Sequence, residues 1–525
     1  MLFNSYIFIF AFLPVVLLAF YRIGRSSRRL AALWLAAASL FFYGWWDARL
    51  VGLLLASVGF NYAAGFLIGH RLQQGKQSGK LLAAAIGVNL ALLGYFKYAN
   101  FFIANFNAAF GLTLPIGEFF LPLGISFFTF TQIAFLVDTW RGKVHEYDFV
   151  HYLLFVTYFP HLIAGPVLHH AQMMPQFARP ATYRVNWEHI ALGVTIFVMG
   201  LAKKVLLADS FAEFASPVFD IAQSGGQPMF FEAWIGALSY TLQLYFDFSA
   251  YSDMAIGLSL MFNVRLPQNF DSPYKATSII DFWRRWHMTL SAFLRDYLYI
   301  ALGGNRKGTI RRYANLMTTM LLGGLWHGAG WTFVMWGGLH GLYLLINHAW
   351  RAFKKQMGWR PGGALARFFA GSLTFLSVVV AWVFFRAESF SAGISMLTGM
   401  SGARGISLSD SVGNHLGAYA LKLEQANVVF SGMAPLSSIN TDKALILIIL
   451  GLMLVWLAPN IAEITQRYRP TWDSMQADSV LQPASWLSRV LAWRPNFVYA
   501  SLLGVLFTWS VFSLTRISEF LYFQF

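Results

Sequence analysis

The sequence predicts an all-α, polytopic integral membrane protein, and three observations support this prediction. Of the 525 residues, 57% are hydrophobic and only 12% are charged, which is about half the charged fraction of a soluble domain. The mean hydropathy is +0.54, and Phe, Tyr and Trp are abundant, as in proteins with rings at lipid–water interfaces. The basic residues form short clusters between apolar runs, a pattern that indicates membrane topology and not nucleic-acid binding.

The first apolar runs define an orientation. The run Leu2–Tyr21 is long enough to cross a bilayer and too long for a cleavable signal peptide. The basic stretch "RIGRSSRR" follows it, so the positive-inside rule places the amino terminus outside the cytoplasm. The next four runs alternate consistently around further basic stretches; they are Leu30–Trp45, Val51–Ile68, Leu81–Tyr95 and Leu121–Val137.

Later apolar runs raise the expected total to about eleven transmembrane helices, with re-entrant and interfacial helices where Pro and Gly interrupt a run. These runs lie at 149–168, 190–207, 230–262, 314–347, 366–385, 444–458 and 497–515. Counting crossings places residues 386–443 outside and residues 460–496 in the cytoplasm. Both termini are therefore predicted on the outer side of the membrane.

The stretch "GGLWHGAGW", at 323–331, contains one ionisable residue, His327. Basic residues flank its apolar run at 275–312 and at 351–367, so the run is predicted to enter and leave the membrane from the cytoplasmic side. An arm of about thirteen residues rises only ~20 Å, and the glycines at 328 and 330 allow a break. We expect a re-entrant hairpin with His327 near its apex; the alternative is a single tilted crossing.

His327 is a candidate catalytic base. An ionisable side chain at membrane depth is a functional hypothesis in itself, and neutral imidazole accepts protons efficiently near pH 7. The alternative is a core histidine bonded to a carbonyl group. Metal binding is not expected, because the histidines lack zinc-site spacing and the chain has no Cys. On one helix, His340 would lie ~20 Å from His327.

A second candidate region is "DFWRRWHMTLSAFLRDYLYIALGGNRKG", at 281–308. Its first twenty residues are expected to form one amphipathic helix at the membrane interface. The structural interpretation is an anchor on lipid phosphates, and the functional one is a cytoplasmic opening that attracts a phosphate-bearing ligand. His287 is the candidate site residue of this helix. Elsewhere, Asp247 and Asp253 lie in an apolar run and are interpreted as polar links between helices.

Four segments together resemble the membrane-bound O-acyltransferase family, in particular its bacterial alginate O-acetyltransferase branch. They are the region at 281–308 and "PLGISFFTFTQIAFLVDTWRG" (122–142), "YFDFSAYSDMAIG" (245–257) and "LLGGLWHGAGWTFVMWGGLHG" (321–341). The resemblance implies one membrane-bound O-acyltransferase domain over residues 1–525, best matched at 120–350 and more weakly at 386–497.

The resemblance also implies an activity and a site. The two histidines of the family's motifs fall on His327 and His287, which would be the catalytic residues. The implied enzyme lies in the bacterial inner membrane, with both termini in the periplasm, and has no bound cofactor or metal. It would take an acetyl group from a cytoplasmic donor, acetyl-CoA. The residues expected to meet the donor phosphates are Arg284, Arg285, Arg306 and Lys307.

The acceptor implied by the resemblance is an exported polysaccharide, first of all alginate, reached directly or through periplasmic acetyl-transfer proteins. Cellulose and peptidoglycan are the alternative polymers. Two other classes of function remain open at this point: a transporter of the acyl donor, and a non-catalytic scaffold for a periplasmic transferase. No residue that we can interpret identifies the polymer.

Overall fold

The computed structural model of the chain describes residues 1–117, 121–144, 148–163, 165–359, 362–408, 416–425, 428–430, 441–476, 486–515 and 520–521. These residues are mostly helical and contain almost no strand, which confirms the predicted all-α class. The described strands are two short ones, β1 (Ile406–Ser407) and β2 (Val428–Val429), which pair in parallel.

The α-helices fall into three groups along the chain. Before the long central helix lie α1 (Leu13–Gly24), α2 (Arg28–Gly44), α3 (Arg49–Gln73), α4 (Gly79–Leu93), α5 (Ala99–Phe110), α6 (Ile125–Trp140), α7 (Phe149–Thr157), α8 (Phe159–Leu162), α9 (His170–Ala178), α10 (Trp187–Ala202) and α11 (Asp209–Gln223). The second group is α12 (Phe230–Met261), α13 (Ile279–Arg285), α14 (Met288–Phe293), α15 (Thr309–His327), α16 (Trp331–Gln356), α17 (Ala364–Arg386) and α18 (Phe390–Met400). The last is α19 (Ala418–Glu424), α20 (Thr441–Leu457), α21 (Ile461–Thr465), α22 (Trp472–Gln476), α23 (Trp486–Val490) and α24 (Phe497–Phe512).

Shorter helical turns of other pitch join several of these helices. The π-helical segments are Phe8–Phe12, Gly94–Tyr98, Lys203–Ala208 and Leu294–Tyr299. The 3-10 segments are Pro180–Tyr183, Pro273–Lys275, Gln466–Tyr468 and Ser513–Thr515. Because π turns inside helices are frequent at functional sites, two of these segments matter below.

Helix α12 forms the centre of the molecule. Nearly all of its 32 residues are buried, as expected for a helix that is apolar on every side. It packs against α10 and α11, and against α17, α18 and α20. These five helices are therefore arranged around one buried axis.

Buried ion pairs link α12 to its neighbours. Lys204 Nζ lies 2.6 Å from Asp247 Oδ1 and 2.8 Å from Asp209 Oδ1, and Lys203 pairs with Asp253. Both lysines belong to the π-helical turn between α10 and α11. This arrangement confirms that Asp247 and Asp253 are polar links between helices, since each carboxylate has a cationic partner on another element.

The number of crossings is supported only in part. Among the described residues, four helical stretches are long and apolar enough to span a membrane: Arg49–Gln73, Gly79–Phe110, Trp187–Gln223 and Ala364–Arg386. A fifth is the pair Asp442–Leu457 and Ile461–Tyr468, bent by 45°. Other apolar helices are too short to qualify alone, so the total of about eleven stays a prediction.

The predicted hairpin around His327 is present as two antiparallel helices. Helix α15 ends at His327, and α16 begins at Trp331. The helices approach so closely that a Cβ atom at Gly337 would lie 2.3 Å from the carbonyl oxygen of Met320. The break at 328–330 is confirmed, but the expected arm of about thirteen residues is wrong, because α15 has 19 residues and α16 has 26. Entry and exit on the same side of the membrane stay a prediction.

Candidate active site

The region at 281–308 is not one helix, and the predicted continuous amphipathic helix is wrong. It divides into α13, α14 and a π-helical segment, because His287 between α13 and α14 has a φ of 44°. A residue in the left-handed region cannot continue a right-handed helix. The chain therefore turns at His287 and directs its imidazole into the protein, where it is 0% exposed.

Asn269 stabilises this turn. Its side-chain oxygen Oδ1 accepts from Thr289 Oγ1 at 2.9 Å and lies 3.1 Å from His287 Nδ1. Because this oxygen only accepts, the His287 proton is assigned to Nδ1, which leaves Nε2 as the basic nitrogen. The main-chain carbonyl of Asn269 also accepts from Met288 N at 2.9 Å. Asn269 therefore fixes both the backbone and the tautomer of His287.

The two predicted site histidines lie side by side. The ring centroids of His287 and His327 are 6.3 Å apart, although the residues are forty positions apart in the sequence. His327 is 5% exposed, and aromatic rings surround it, with centroid distances of 4.9 Å to Trp326, 5.1 Å to Trp336 and 5.2 Å to Phe385. The structure thus brings both histidines into one buried, largely apolar centre.

His340 lies much nearer to His327 than the ~20 Å that one continuous helix would give. Both imidazoles contact the ring of Trp336, and the His340 and Trp336 centroids are 4.9 Å apart. The antiparallel hairpin is the reason, because it folds α16 back along α15. One sequence signal for this proximity was available: Trp336 and His340 are spaced i, i+4, which places both side chains on the same face of a helix.

A cavity of about 890 Å³ lies next to the basic segment, in the part of the molecule that adjoins His287. We call it the arginine cavity, after Arg284, Arg295 and Arg312 in its wall. Met288 and Thr289, which directly follow His287, also line it. Asp296 and Asp473 belong to the same wall, so the charge of the cavity is mixed with a small excess of arginine.

A second, smaller pocket lies near the other end of α15. It has a volume of about 100 Å³ and is lined by Lys97, Ser126, Trp326 and the residues from Leu121 to Gly124, among others. We call it the lysine pocket. The arginine cavity is lined by Leu316 and Met320 of α15, whereas the lysine pocket contacts the penultimate residue of that helix. The two spaces thus approach the histidines from different directions.

Comparison with known proteins decides the family. Residues 126–379 match the model of the membrane-bound O-acyltransferase family. The chain is 44% identical to a peptidoglycan O-acetyltransferase of Helicobacter pylori over 435 residues, 78% of this chain and 81% of that protein. It is also 44% identical to a probable alginate O-acetylase of Azotobacter vinelandii over 416 residues, 78% of this chain and 80% of the relative. A probable alginate O-acetylase of Pseudomonas fluorescens is 37% identical over the full length of both chains.

The chain belongs to the membrane-bound O-acyltransferase family. It is therefore a membrane protein and an acyltransferase, and its reaction requires an acyl donor and an acceptor. The resemblance inferred from the four sequence segments is confirmed.

The predicted donor-binding residues of this O-acyltransferase differ in their placement. Arg284 lines the arginine cavity. Arg285 does not; its guanidinium pairs with Asp281 at 3.1 Å and with Asp271 at 3.6 Å. Arg306 and Lys307 are exposed and outside the lining. Of the four, the structure brings only Arg284 to the cavity beside the histidines.

Sequence reasoning missed Arg295 and Arg312 as cavity residues. Arg312 Nη2 donates to His348 Nδ1 at 2.8 Å, which fixes the guanidinium in the cavity wall. A signal was present, since Arg312, Leu316 and Thr319 are spaced on one helical face and all line the cavity.

His169 also lines the arginine cavity of the O-acyltransferase. Burial lowers the pKa of His169, so the imidazole is neutral near pH 7. Its Nδ1 lies 3.0 Å from the hydroxyl oxygen of Tyr297, which in turn donates to Asp138 Oδ2 at 2.7 Å. The positive charge of the cavity therefore comes from its arginines and not from this histidine.

The end of the described chain also reaches the site. Phe520 packs on Tyr251 with a centroid distance of 4.5 Å, and Leu521 N donates to Asp247 Oδ2 at 3.1 Å. Phe248, which stands edge-on to His287 at 4.8 Å, contacts Phe520 as well.

Within the described ranges, no cluster of three or more His, Asp or Glu side chains could hold a metal ion.

Proposed function

We propose that this acyltransferase transfers an acetyl group from acetyl-CoA in the arginine cavity to a hydroxyl group presented through the lysine pocket. The observation that carries this proposal is that the residues next to His287 line a large cavity with three arginines, whereas the residue next to His327 lines a small pocket. The large cavity suits a phosphate-bearing thioester, because arginine binds phosphate in bidentate geometry. The small pocket suits a single sugar hydroxyl.

The predicted topology supports a direction for the transfer. The basic segment at 275–312 supplies the arginines and is predicted to be cytoplasmic. One predicted span ends at residue 95 and the next begins at residue 121, both near the lysine pocket. Both residues are predicted to lie on the outer side of the membrane. The donor would thus arrive from the cytoplasm and the acceptor from the periplasm, across the bacterial inner membrane.

In the proposed mechanism, His327 is the general base. Its imidazole takes the proton of the acceptor hydroxyl, and the hydroxyl oxygen attacks the thioester carbonyl. The new C–O bond forms, the C–S bond breaks, and the proton passes from His327 to the departing thiolate. His287, held by Asn269, would orient the donor carbonyl next to His327.

The proposed acceptor is an exported polysaccharide, with alginate as the first candidate and periplasmic acetyl-transfer proteins as partners. Two of the three relatives named above are called probable alginate O-acetylases. Peptidoglycan is the second candidate, because a relative of equal identity is named a peptidoglycan O-acetyltransferase.

The function can be tested with purified protein in liposomes. Acetyl-CoA labelled in the acetyl group is supplied on the side of the arginine cavity, and either uronate oligosaccharides or muropeptides on the other side. We expect labelled ester on one acceptor, and a 10²- to 10⁴-fold lower rate for His327→Ala, the range of general-base contributions. Label that crosses without ester formation would indicate a transporter, and an unchanged rate for His327→Ala would exclude the base.

The donor site has a matched pair of arginines. Arg312→Ala removes a guanidinium that faces the arginine cavity, whereas Arg306→Ala removes an exposed one from the same basic segment. We expect Arg312→Ala to weaken donor binding about tenfold or more, since a hydrogen bond to a charged group contributes ~1.5–3 kcal/mol. Arg306→Ala should leave the dissociation constant unchanged. Equal effects of both changes, measured by titration calorimetry, would contradict this location.

A further inference from the structure

The carboxy-terminal end of α15 carries the candidate base as its last residue. The last four carbonyl groups of a helix have no partner within the helix. At membrane depth such groups must be satisfied by the protein itself. The first of the four accepts from the main chain, at the break of the hairpin. The other three, those of Leu325, Trp326 and His327, all accept from one neighbouring segment.

That segment is the π-helical turn Gly94–Tyr98, which follows α4. Tyr98 Oη donates to the carbonyl oxygen of Leu325 at 2.9 Å. Lys97 Nζ donates to the carbonyl oxygen of Trp326 at 2.6 Å and to that of His327 at 3.2 Å. Two consecutive side chains thus complete the hydrogen bonding of the last turn of α15.

Lys97 has little capacity left for a ligand. An ammonium group has three hydrogens and no acceptor. Besides the two carbonyl oxygens, Lys97 Nζ donates to Ser126 Oγ at 3.3 Å. The three bonds account for the three hydrogens. Although Lys97 lines the lysine pocket, its contacts are those of an anchor for α15, and its charge complements the negative end of the helix.

We propose that Lys97, assisted by Tyr98, is a positioning residue for His327. It holds the last turn of α15 so that the imidazole keeps a fixed place between the arginine cavity and the lysine pocket. The catalytic consequence rests on the proposed function, whereas the anchoring of the helix end does not. The two parts can therefore be tested separately.

The anchoring is tested by hydrogen exchange of the amides at 324–330 in the full-length protein. Lys97→Met keeps the aliphatic stem and removes the ammonium. We expect exchange at 324–330 to become at least tenfold faster, with a smaller acceleration for Tyr98→Phe. Lys80→Met is the matched control, because Lys80 is an exposed lysine of the same helical stretch. Unchanged exchange in Lys97→Met would overturn the proposal.

The catalytic consequence is tested by a double-mutant cycle on acetyl transfer. We expect Lys97→Met to lower kcat about 100-fold with unchanged donor affinity, since a 1 Å misplacement costs about that much. In a His327→Ala background the same change should lower the residual rate less than twofold. An equal loss in both backgrounds, or a parallel loss of donor binding, would show that Lys97 does not act through His327.

The two possible failures are distinguishable. If the unmutated protein transfers no acetyl group to either acceptor, the proposed function fails. The exchange at 324–330 would still show whether Lys97 anchors the end of α15. If transfer occurs and Lys97→Met exchanges like the unmutated protein, only the positioning role is excluded.

Discussion

His287 adopts a backbone conformation that few non-glycine residues tolerate. A φ of 44° costs of order 1–3 kcal/mol and persists only where the surroundings enforce it, as at many functional sites. Asn269 enforces this conformation. Its side chain is hydrogen-bonded to Thr289, and its main-chain carbonyl is hydrogen-bonded to Met288. The candidate site thus depends on a residue outside the motif that contains His287.

His287→Ala should reduce acetyl transfer less than His327→Ala, and should act through the donor. The reason is its assigned role beside the donor carbonyl, in contrast to the proton transfer assigned to His327. The measurements are donor affinity and kcat. His287→Asn is the matched variant, because Asn tolerates the left-handed region better than Ala does. Unchanged affinity and turnover in both variants would make His287 a purely structural residue.

The two histidines could be predicted from sequence, whereas their support could not. His327 and His287 lie in distinctive local motifs, so nearby residues identify them. Lys97 lies just after the predicted span Leu81–Tyr95, and only tertiary packing shows that it reaches the end of α15. Arg285 looks equivalent to Arg284 in sequence, but ion pairs with Asp281 and Asp271 occupy its guanidinium. Side-chain direction and distant partners are properties of the fold.

At the scale of elements, the α15–α16 hairpin follows from its glycines. The break was predictable because the glycines are a local property, whereas the arm length was predicted too short, since α15 and α16 have 19 and 26 residues. The division of 281–308 into α13 and α14 was not, since it depends on Asn269, which precedes the region. The periodic apolar pattern therefore predicted correctly that this segment is helical. It wrongly predicted one long helix where the structure has shorter ones.

Adjacent glycines of α16 provide a test of the hairpin. A Cβ atom at Gly337 would lie 2.3 Å from the Met320 carbonyl oxygen, whereas one at Gly338 would lie 3.5 Å from the nearest atom, a side-chain carbon of Leu321. We expect Gly337→Ala to lower the free energy of unfolding by about 1–3 kcal/mol, as overpacking does. Gly338→Ala should be tolerated. Equal melting temperatures of the two variants in detergent would contradict the close approach of α15 and α16.

At the scale of the whole molecule, the fold class and the family were predictable, and the number of crossings was not. Composition alone separates a membrane protein from a soluble one. Counting crossings requires each apolar run to be one span, yet α6 and α24 have only sixteen residues each. Short helices can pack inside the protein without reaching both surfaces, and sequence does not distinguish the two cases.

The orientation can be measured directly, because the chain has no Cys. Single cysteines at Lys307 and Lys354 should both resist a membrane-impermeant thiol reagent added outside, since both flanks of the hairpin are predicted to be cytoplasmic. A cysteine at Ala329, an exposed residue at the break of the hairpin, should react from the outer side. Opposite labelling of positions 307 and 354 would establish a single tilted crossing instead of a hairpin.

The stacked rings between the two spaces have a consequence for the energy supply of the cell. Phe293 lies between two residues that line the arginine cavity, and its ring stacks on Phe130 at 4.4 Å. Phe130 in turn stacks on Trp326, which lines the lysine pocket, at 5.4 Å. An acyl group that passes through a membrane needs a short path, yet the same path must not conduct protons, because the membrane stores a proton gradient. Stacked aromatic rings offer no hydrogen-bonded chain for a proton, so the acetyl transfer proposed above would need no proton leak along these rings.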